Sequence, residues 1–265
     1  MKPLSAYMDQ RLHERRRSGE TLLMTHVVYG YPSVDESLAL MEHLLEQGVA
    51  FLEVQFPFSD PVADGPAIVN ACHRALENGP LPLVDCLESL GKLQRRFRQS
   101  RIVLMSYLNP LYRFGLTKLV DSCAEQGITG LIIPDLPLEQ AGAFRQDCEA
   151  AGISPIWMVT PATPISRLKV ICEAADGLLY CVSRAGVTGS NPDAVQRSQE
   201  DYLQAVKTLT ATPLALGFGI RSAAQVREAS QRADVVVLGS VLLDAFTAGG
   251  IPAVDATLKQ LVAEE

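Results

Sequence analysis

The chain is poor in the residues that mark metal-binding, nucleic-acid-binding and membrane proteins. Its six cysteines (Cys72, Cys86, Cys123, Cys148, Cys172 and Cys181) include no C-x-x-C pair, and its four histidines, His13, His26, His43 and His73, are scattered. That spacing argues against a metal site and suits small buried thiols in a reducing compartment, so a cytoplasmic location is expected. Basic residues are outnumbered, 23 against 30 acidic, and no basic block is interleaved with aromatics. Nucleic acid is therefore not an expected partner, and an anionic ligand would need a locally positive site. No apolar run reads as long enough to span a bilayer, so no membrane association is expected. The segment Leu4–Arg17 has acidic residues, three consecutive arginines and no apolar core, which is not the pattern of a secretory signal. Linkers, low-complexity stretches and breaks in composition are missing too. One domain over residues 1–265 is the simplest organisation.

What the chain does have is enough apolar material for a large core: 48 % of 265 residues are hydrophobic. After an amphipathic first helix, with Leu4, Tyr7, Met8 and Leu12 on one face, short apolar runs alternate with helical patterns. Strands are expected near Leu22–Tyr29, Phe51–Phe56, Ile102–Tyr107, Gly130–Ile133, Pro155–Val159, Gly177–Val182, Pro213–Leu216 and Val235–Leu238. Helical patterns cover Val34–Gln47, Leu83–Phe97, Thr117–Gln126, Leu138–Ala151, Ser166–Ala175, Asp193–Leu209 and Ala223–Gln231. Eight Val/Ile/Leu-rich strands separated by seven helices match an α/β fold of the (β/α)8 TIM-barrel type with an additional N-terminal helix. A doubly wound open sheet is the alternative.

In a barrel, chemistry sits at the C-terminal ends of the strands. The run Phe51–Pro66 ends one strand in a proline-punctuated loop and carries three carboxylates, Glu53, Asp60 and Asp64. Alternation puts Phe51, Glu53 and Gln55 on one face and Leu52, Val54 and Phe56 on the other. A carboxylate on an apolar strand is costly to desolvate without partners or a task. A stiff loop could aim a second carboxylate back at it, the arrangement general acid/base chemistry uses. The same run also suits an exposed edge glutamate and turn-forming aspartates, and the segment alone does not choose.

The late strands end in glycines: Gly186 and Gly189, then Gly217 and Gly219, then Gly239-Ser240. Glycine lets a ligand approach bare backbone N–H groups. Gly239-Ser240 leads into the apolar run Val241–Phe246, read as a short helix whose N-terminus attracts an anion. Barrel phosphate sites are often built there, and an acidic protein can hold a phosphate through amides without clustered lysines.

Pro57-Phe-Ser-Asp-Pro-Val-Ala-Asp-Gly-Pro66, Ser183-Arg-Ala-Gly-Val-Thr-Gly189 and Gly217-Phe-Gly219 resemble the signature segments of the tryptophan synthase alpha subunit family. The resemblance runs from the first helix to the end and includes Tyr107-Leu-Asn-Pro110 and Pro134-Asp-Leu-Pro137. It implies a lyase that cleaves indole-3-glycerol phosphate to indole and glyceraldehyde 3-phosphate. By motif, Glu53 is the acid/base at the glycerol side and indole C3, and Asp64 partners the indole N–H. Tyr180 lines the pocket, Gly189, Gly219, Gly239 and Ser240 bind phosphate, and Thr188 contacts the Asp64 loop when its own loop closes. The resemblance implies no metal and no cofactor in this chain. Pyridoxal phosphate (PLP) belongs to a beta subunit that joins it in an alpha2beta2 heterotetramer and receives the indole. Asp60 is read as a loop-shaping or partner-contacting residue, not a proton donor, and Asp135 as having a similar structural role.

One residue departs from the family pattern. Gln55 stands where a small residue, commonly glycine, follows the catalytic glutamate by two positions. Pointing to the same side as Glu53, its amide would either hydrogen-bond Glu53 or narrow the space for indole. His26 is another position where the usual residue is not assumed. Gln55 keeps open a second reading, a weakly active regulatory subunit that mainly activates a beta subunit. A different phosphate-binding barrel enzyme would share the glycines but not the loop after Glu53.

Overall fold

The computed structural model describes residues 3–182, 192–217 and 219–263, with the side chains of 192–200 left aside. Its strands are β1 Leu22–Val28, β2 Phe51–Gln55, β3 Arg101–Met105, β4 Gly130–Ile132, β5 Ser154–Pro155, β6 Met158–Val159, β7 Leu179–Val182, β8 Leu214–Gly217 and β9 Val235–Leu238. All the pairings are parallel, in the order β5-β4-β3-β2-β1-β9-β8-β7-β6.

The two ends of that order are one stretch of chain. The strand expected at Pro155–Val159 is split between Pro155 and Met158, where the stretch passes from one neighbouring strand to the other. Its first half faces β4, with Ile156 N donating to Leu131 O at 2.8 Å. Its second half faces β7, with Tyr180 N donating to Trp157 O at 2.9 Å. The ring closes through this stave, which makes the sheet a barrel and not an open doubly wound sheet.

Strand alternation sorts the core into two layers. Phe51 points inward and packs in a cluster with Met24, Val103, Tyr180 and Val237. Leu52, Val54 and Phe56 point outward into the larger cluster under the helices. Helix α1, Pro3–Ser18, plugs the N-terminal end of the barrel, burying Leu4, Tyr7 and Met8 against the inner cluster. The Tyr7 ring meets Phe51 edge-on, centroids 5.3 Å apart, and its hydroxyl donates to a site shared by Ala50 O at 2.8 Å and Gln99 O at 3.0 Å.

The remaining helices are α2 Val34–Glu46, α3 Pro66–Glu77, α4 Leu83–Arg96, α5 Leu108–Phe114, α6 Leu116–Gln126, α7 Gly142–Ala151, α8 Ile165–Ala174, α9 Pro192–Leu209, α10 Ala223–Arg232 and α11 Ser240–Val262. Two of them, α3 and α5, were not expected. The first begins at a proline directly after Gly65 and so hides behind loop signals. The second has seven residues, too few for a helical period to register. The pattern read as one helix over Leu138–Ala151 divides into a 3-10 turn, Leu138–Gln140, and α7.

Helix α11 corrects a further expectation. By length and composition alone it is long and apolar enough to cross a membrane. Its backbone, however, leaves the helical region at Gly249 and Gly250, and Val241, Leu242, Phe246, Val254, Leu258 and Leu261 are buried in the outer core. Its apolarity is that of a helix packed against the barrel. All six cysteines are free and buried, and burial pushes the thiols of Cys72 and Cys181 up to about 12, away from reactive thiolate.

Candidate active site

At the C-terminal end of the barrel a cavity of about 250 Å³ opens, close to the low end of the ~300–1,000 Å³ usual for small-molecule sites. Glu53, Asp64, Tyr180, Gly219, Gly239 and Ser240 all line it. A larger cavity of about 620 Å³ lies at the opposite end, among Arg11, Gly19, Leu22, Val49 and Lys259. Among the described residues lining it are one carboxylate, Glu20, and no strand C-termini, so size does not identify the site here; chemistry does.

Glu53 comes from the middle of β2 and is 3 % exposed. Its Oε1 lies 3.3 Å from Nδ1 of His26, its register partner on β1. Its Oε2 is buried and has no hydrogen-bond partner. Asp64 reaches the same cavity from the loop between β2 and α3. Its Oδ2 accepts from Gln55 Nε2 at 2.8 Å and from Tyr107 Oη at 3.0 Å, while Ala63 N donates to that same phenol oxygen at 2.9 Å. Asp64 is held above the usual carboxylate value by burial, which His26, Gln55 and Tyr107 partly offset.

Gln55 thus binds the loop carboxylate, not Glu53 as one of the two expectations had it. Tyr107 was visible only as part of a motif and received no role. A tyrosine at a strand end gives no sign in sequence of reaching a carboxylate 43 residues earlier. His26 stood out in sequence, though its partner did not.

Tyr180, on β7, is buried, and its hydroxyl is held well above the ordinary phenol value by burial, with the carboxylates of Glu53 and Asp64 adding to the effect. Its ring rests over Gly217: a methyl there would fall 2.6 Å from Tyr180 Oη and 3.1 Å from Val237 Cβ. Also lining the cavity, Gly219 has φ +76° with open space around it, and Gly239 caps α11. Among the described residues the first backbone bonds of α11 are those of Leu242 and Leu243 to Gly239 O, so the amides of Ser240 and Val241 lie at a free helix N-terminus, where an anion is favoured. Thr188 and Gly189 lie outside the described residues, as do Arg184 and Gly186.

The other acidic loop residues have local work. Asp135 Oδ1 accepts from Leu108 N at 2.7 Å at the start of α5, and Asp60 accepts from Ser59 Oγ at 2.5 Å.

Residues 12–262 match the family model described as tryptophan synthase alpha chain. The chain belongs to that family. It is 41 % identical over 229 residues to the tryptophan synthase alpha chain of a Roseiflexus species, covering 86 % of this chain and 87 % of the relative. With the alpha chain of Desulforapulum autotrophicum it shares 35 % identity over 254 residues, 96 % of this chain and 99 % of the relative. Among solved structures, tryptophan synthase from Mycobacterium tuberculosis superposes with a TM-score of 0.86 at 32 % identity, covering 98 % of this chain and 97 % of that one. The tryptophan synthase complex from Pyrococcus furiosus gives 0.80 at 28 % identity, with 91 % and 97 % covered. Family membership places the chain in tryptophan biosynthesis, as an alpha chain built on a (β/α)8 barrel.

Proposed function

We propose that the chain is a carbon–carbon lyase that converts indole-3-glycerol phosphate to indole and glyceraldehyde 3-phosphate. The observation that carries this reading is the shared cavity, lined by two carboxylates in unlike settings and by open glycine backbone beside a helix N-terminus. Two carboxylates with different tasks need different surroundings, and a strand position and a loop position supply them.

In this mechanism the carboxyl of Glu53 delivers a proton to indole C3, which makes the ring a cationic indolenine with its charge centred on the N–H. Asp64, through the oxygen not tied to Gln55 and Tyr107, accepts from that N–H and stabilises the charge. Glu53, now a carboxylate, takes the proton of the adjacent side-chain hydroxyl as the carbon–carbon bond breaks. The bond's electron pair restores the C2–C3 double bond, the iminium electrons return to nitrogen, and the hydroxyl carbon becomes the aldehyde. Glu53 ends as it began. The phosphate rests on Gly219, Gly239 and Ser240, with Gly189 and Thr188 as further contacts, and Tyr180 forms part of the wall.

The same reading makes the chain a single-domain cytoplasmic protein, without its own cofactor, that joins a PLP-dependent beta subunit in an alpha2beta2 heterotetramer. In support, the loop after β2 leaves Val62 87 % exposed and helix α5 leaves Tyr112 72 % exposed, apolar side chains a partner could cover. Purified chain given indole-3-glycerol phosphate should release indole, and Glu53→Gln should remove nearly all of this while leaving the fold intact. Undiminished turnover in that variant rejects the role of Glu53. Stimulation of a beta subunit that persists in the same variant, with no lyase activity in the parent chain, favours the regulatory reading instead.

A further inference from the structure

Among the described residues lining the cavity, His26 is the one side chain able to carry a positive charge, and it shares the space with two carboxylates. The groups facing it come from several elements. Glu53 on β2 is 3.3 Å from Nδ1, and the two side chains are 5 % and 4 % exposed. Gln55, also on β2, and Asp64, from the loop, both act on the imidazole. Tyr180 on β7 feels both carboxylates. From the end of β9 comes only Gly239, where a methyl would stand 3.6 Å from His26 Cβ.

Counting donors and acceptors assigns the protons. With the acid proton of Glu53 on its unpartnered Oε2, Oε1 only accepts, so His26 Nδ1 carries its hydrogen toward it. Asp64 likewise only accepts, so Gln55 presents its N–H to Oδ2 and turns its own oxygen away. Gln55 Oε1 and His26 Nε2 are then left buried, both without a partner within hydrogen-bond distance. The amide nevertheless raises the proton affinity of the imidazole, as an acceptor beside a ring N–H does. Burial is the largest influence on His26 and disfavours its charge, but Glu53, Asp64 and Gln55 together outweigh it, and the ring titrates above the ordinary histidine value.

We propose that two tethers, His26 on Glu53 and Gln55 on Asp64, position the two carboxyl groups so that each aims its other oxygen at the substrate. Each carboxyl group has one oxygen tethered, Glu53 Oε1 and Asp64 Oδ2. Each has the other free: Glu53 Oε2 is unpartnered, and Asp64 Oδ1 takes no bond among the described residues. A protonated His26 would also offset the charge of Asp64, and that of Glu53 once it has given up its proton, beside a site that is to receive a phosphate ester. His26 is a positioning residue in this account, acting through Glu53. Only the kinetic consequence rests on the proposed lyase activity.

The test has two arms. In the first, His13, His43 and His73 are replaced by Gln, leaving His26 as the sole histidine, and its ring nitrogens are followed by NMR from pH 5 to 9. The midpoint should lie above the usual ~6.5. Adding Glu53→Gln should lower that midpoint by at least one pH unit, and Gln55→Leu by a smaller amount. A midpoint at or below ~6.5, or one indifferent to Glu53→Gln, overturns the His26–Glu53 tether whether or not the chain releases indole. In the second arm, the dependence of indole release on pH is compared with that of His26→Gln. The variant should lose roughly 10- to 100-fold in kcat with little change in KM, less than the ~10²–10⁴ supplied by a group that itself moves the proton. It should also lose the alkaline fall that deprotonation of His26 imposes on the parent chain. An unchanged kcat, or an alkaline limb that survives the substitution, rejects the positioning role.

Discussion

Gln55 Nε2 donates to Asp64 Oδ2 at 2.8 Å, so the strand residue two positions beyond Glu53 holds the loop carboxylate in place. Without that bond Asp64 would be fixed through Tyr107 alone. The bond also favours the ionised form of Asp64. Gln55→Leu should therefore weaken indole release by about 5- to 30-fold, the equivalent of ~1–2 kcal/mol at the transition state. It should also move the acid limb of kcat/KM to higher pH, because Asp64 becomes harder to ionise. A pH–rate series on the two proteins checks both, and an acid limb that stays in place counts against ionised Asp64.

Asp64 itself should show activity and stability pulling apart. Burial raises its folded-state value above the ordinary carboxylate one. The folded state therefore binds this proton more tightly than the unfolded state does. The stabilisation it gives is fully present below the unfolded value near pH 4 and is lost as pH rises through the folded value. At pH 7 the charge is a net cost to folding. Asp64→Asn should lose on the order of 10²-fold in indole release while matching or exceeding the parent in Tm at pH 7. At pH 3.5 the advantage in Tm should vanish. Calorimetry at both pH values decides it.

The placement of Gly217 makes a sharper demand. A methyl at this position falls 2.6 Å from Tyr180 Oη and 3.1 Å from the ring carbon bearing that hydroxyl, so Gly217→Ala must push the phenol toward the cavity. KM for indole-3-glycerol phosphate should rise several-fold. Val237 Cβ, at 3.1 Å on the other side, leaves little room for the strand to give instead. Removing the hydroxyl with Tyr180→Phe should relieve part of the defect, so the double variant should bind better than the sum of the single losses allows. Strict additivity would mean that the two residues do not press on one another.

The barrel was legible because strand alternation is a local signal. Phe51 and Leu52 part to opposite layers as period two requires, and seven of the eight expected strands appear as continuous strands. The eighth is split between two neighbouring strands, and helix α5 was too short to register. The carboxylates were legible for a different reason: an acid on an apolar strand and another in a stiff loop are conspicuous. Their partners were not. The hydroxyl of Tyr107 reaches Asp64, and His26 reaches Glu53, only once strands far apart in sequence lie side by side, and no spacing along the chain encodes that.

Helix α1 closes the end of the barrel remote from the cavity, and its contribution should be one of stability alone. The Tyr7 hydroxyl serves backbone carbonyls at Ala50, buried, and Gln99, part-buried, just before β2 and β3. Tyr7→Phe keeps the edge-on contact with Phe51 but removes that donor. The loss should be about 1 kcal/mol, or roughly 2–4 °C in Tm for a chain of this size, with kcat and KM unchanged. A change in kcat would mean that the plug communicates with the opposite end of the barrel.

Gly219 tests the phosphate side without touching the carboxylates. Its φ of +76° lies in the left-handed region, yet nothing stands within 4 Å of where a side-chain carbon would go. Alanine there meets backbone strain and no clash, a cost of about 1–2 kcal/mol that the loop can relieve only by changing its dihedrals. If backbone at Gly219 receives the phosphate, that change redirects it. Gly219→Ala should then raise KM for indole-3-glycerol phosphate about tenfold or more, with kcat much less affected, since the lost contact is made equally by substrate and transition state. Inorganic phosphate, as a competitive inhibitor, should weaken in parallel. A variant with the expected small fall in Tm but unaltered KM and phosphate inhibition would remove Gly219 from the phosphate site and leave that role to Gly239 and Ser240.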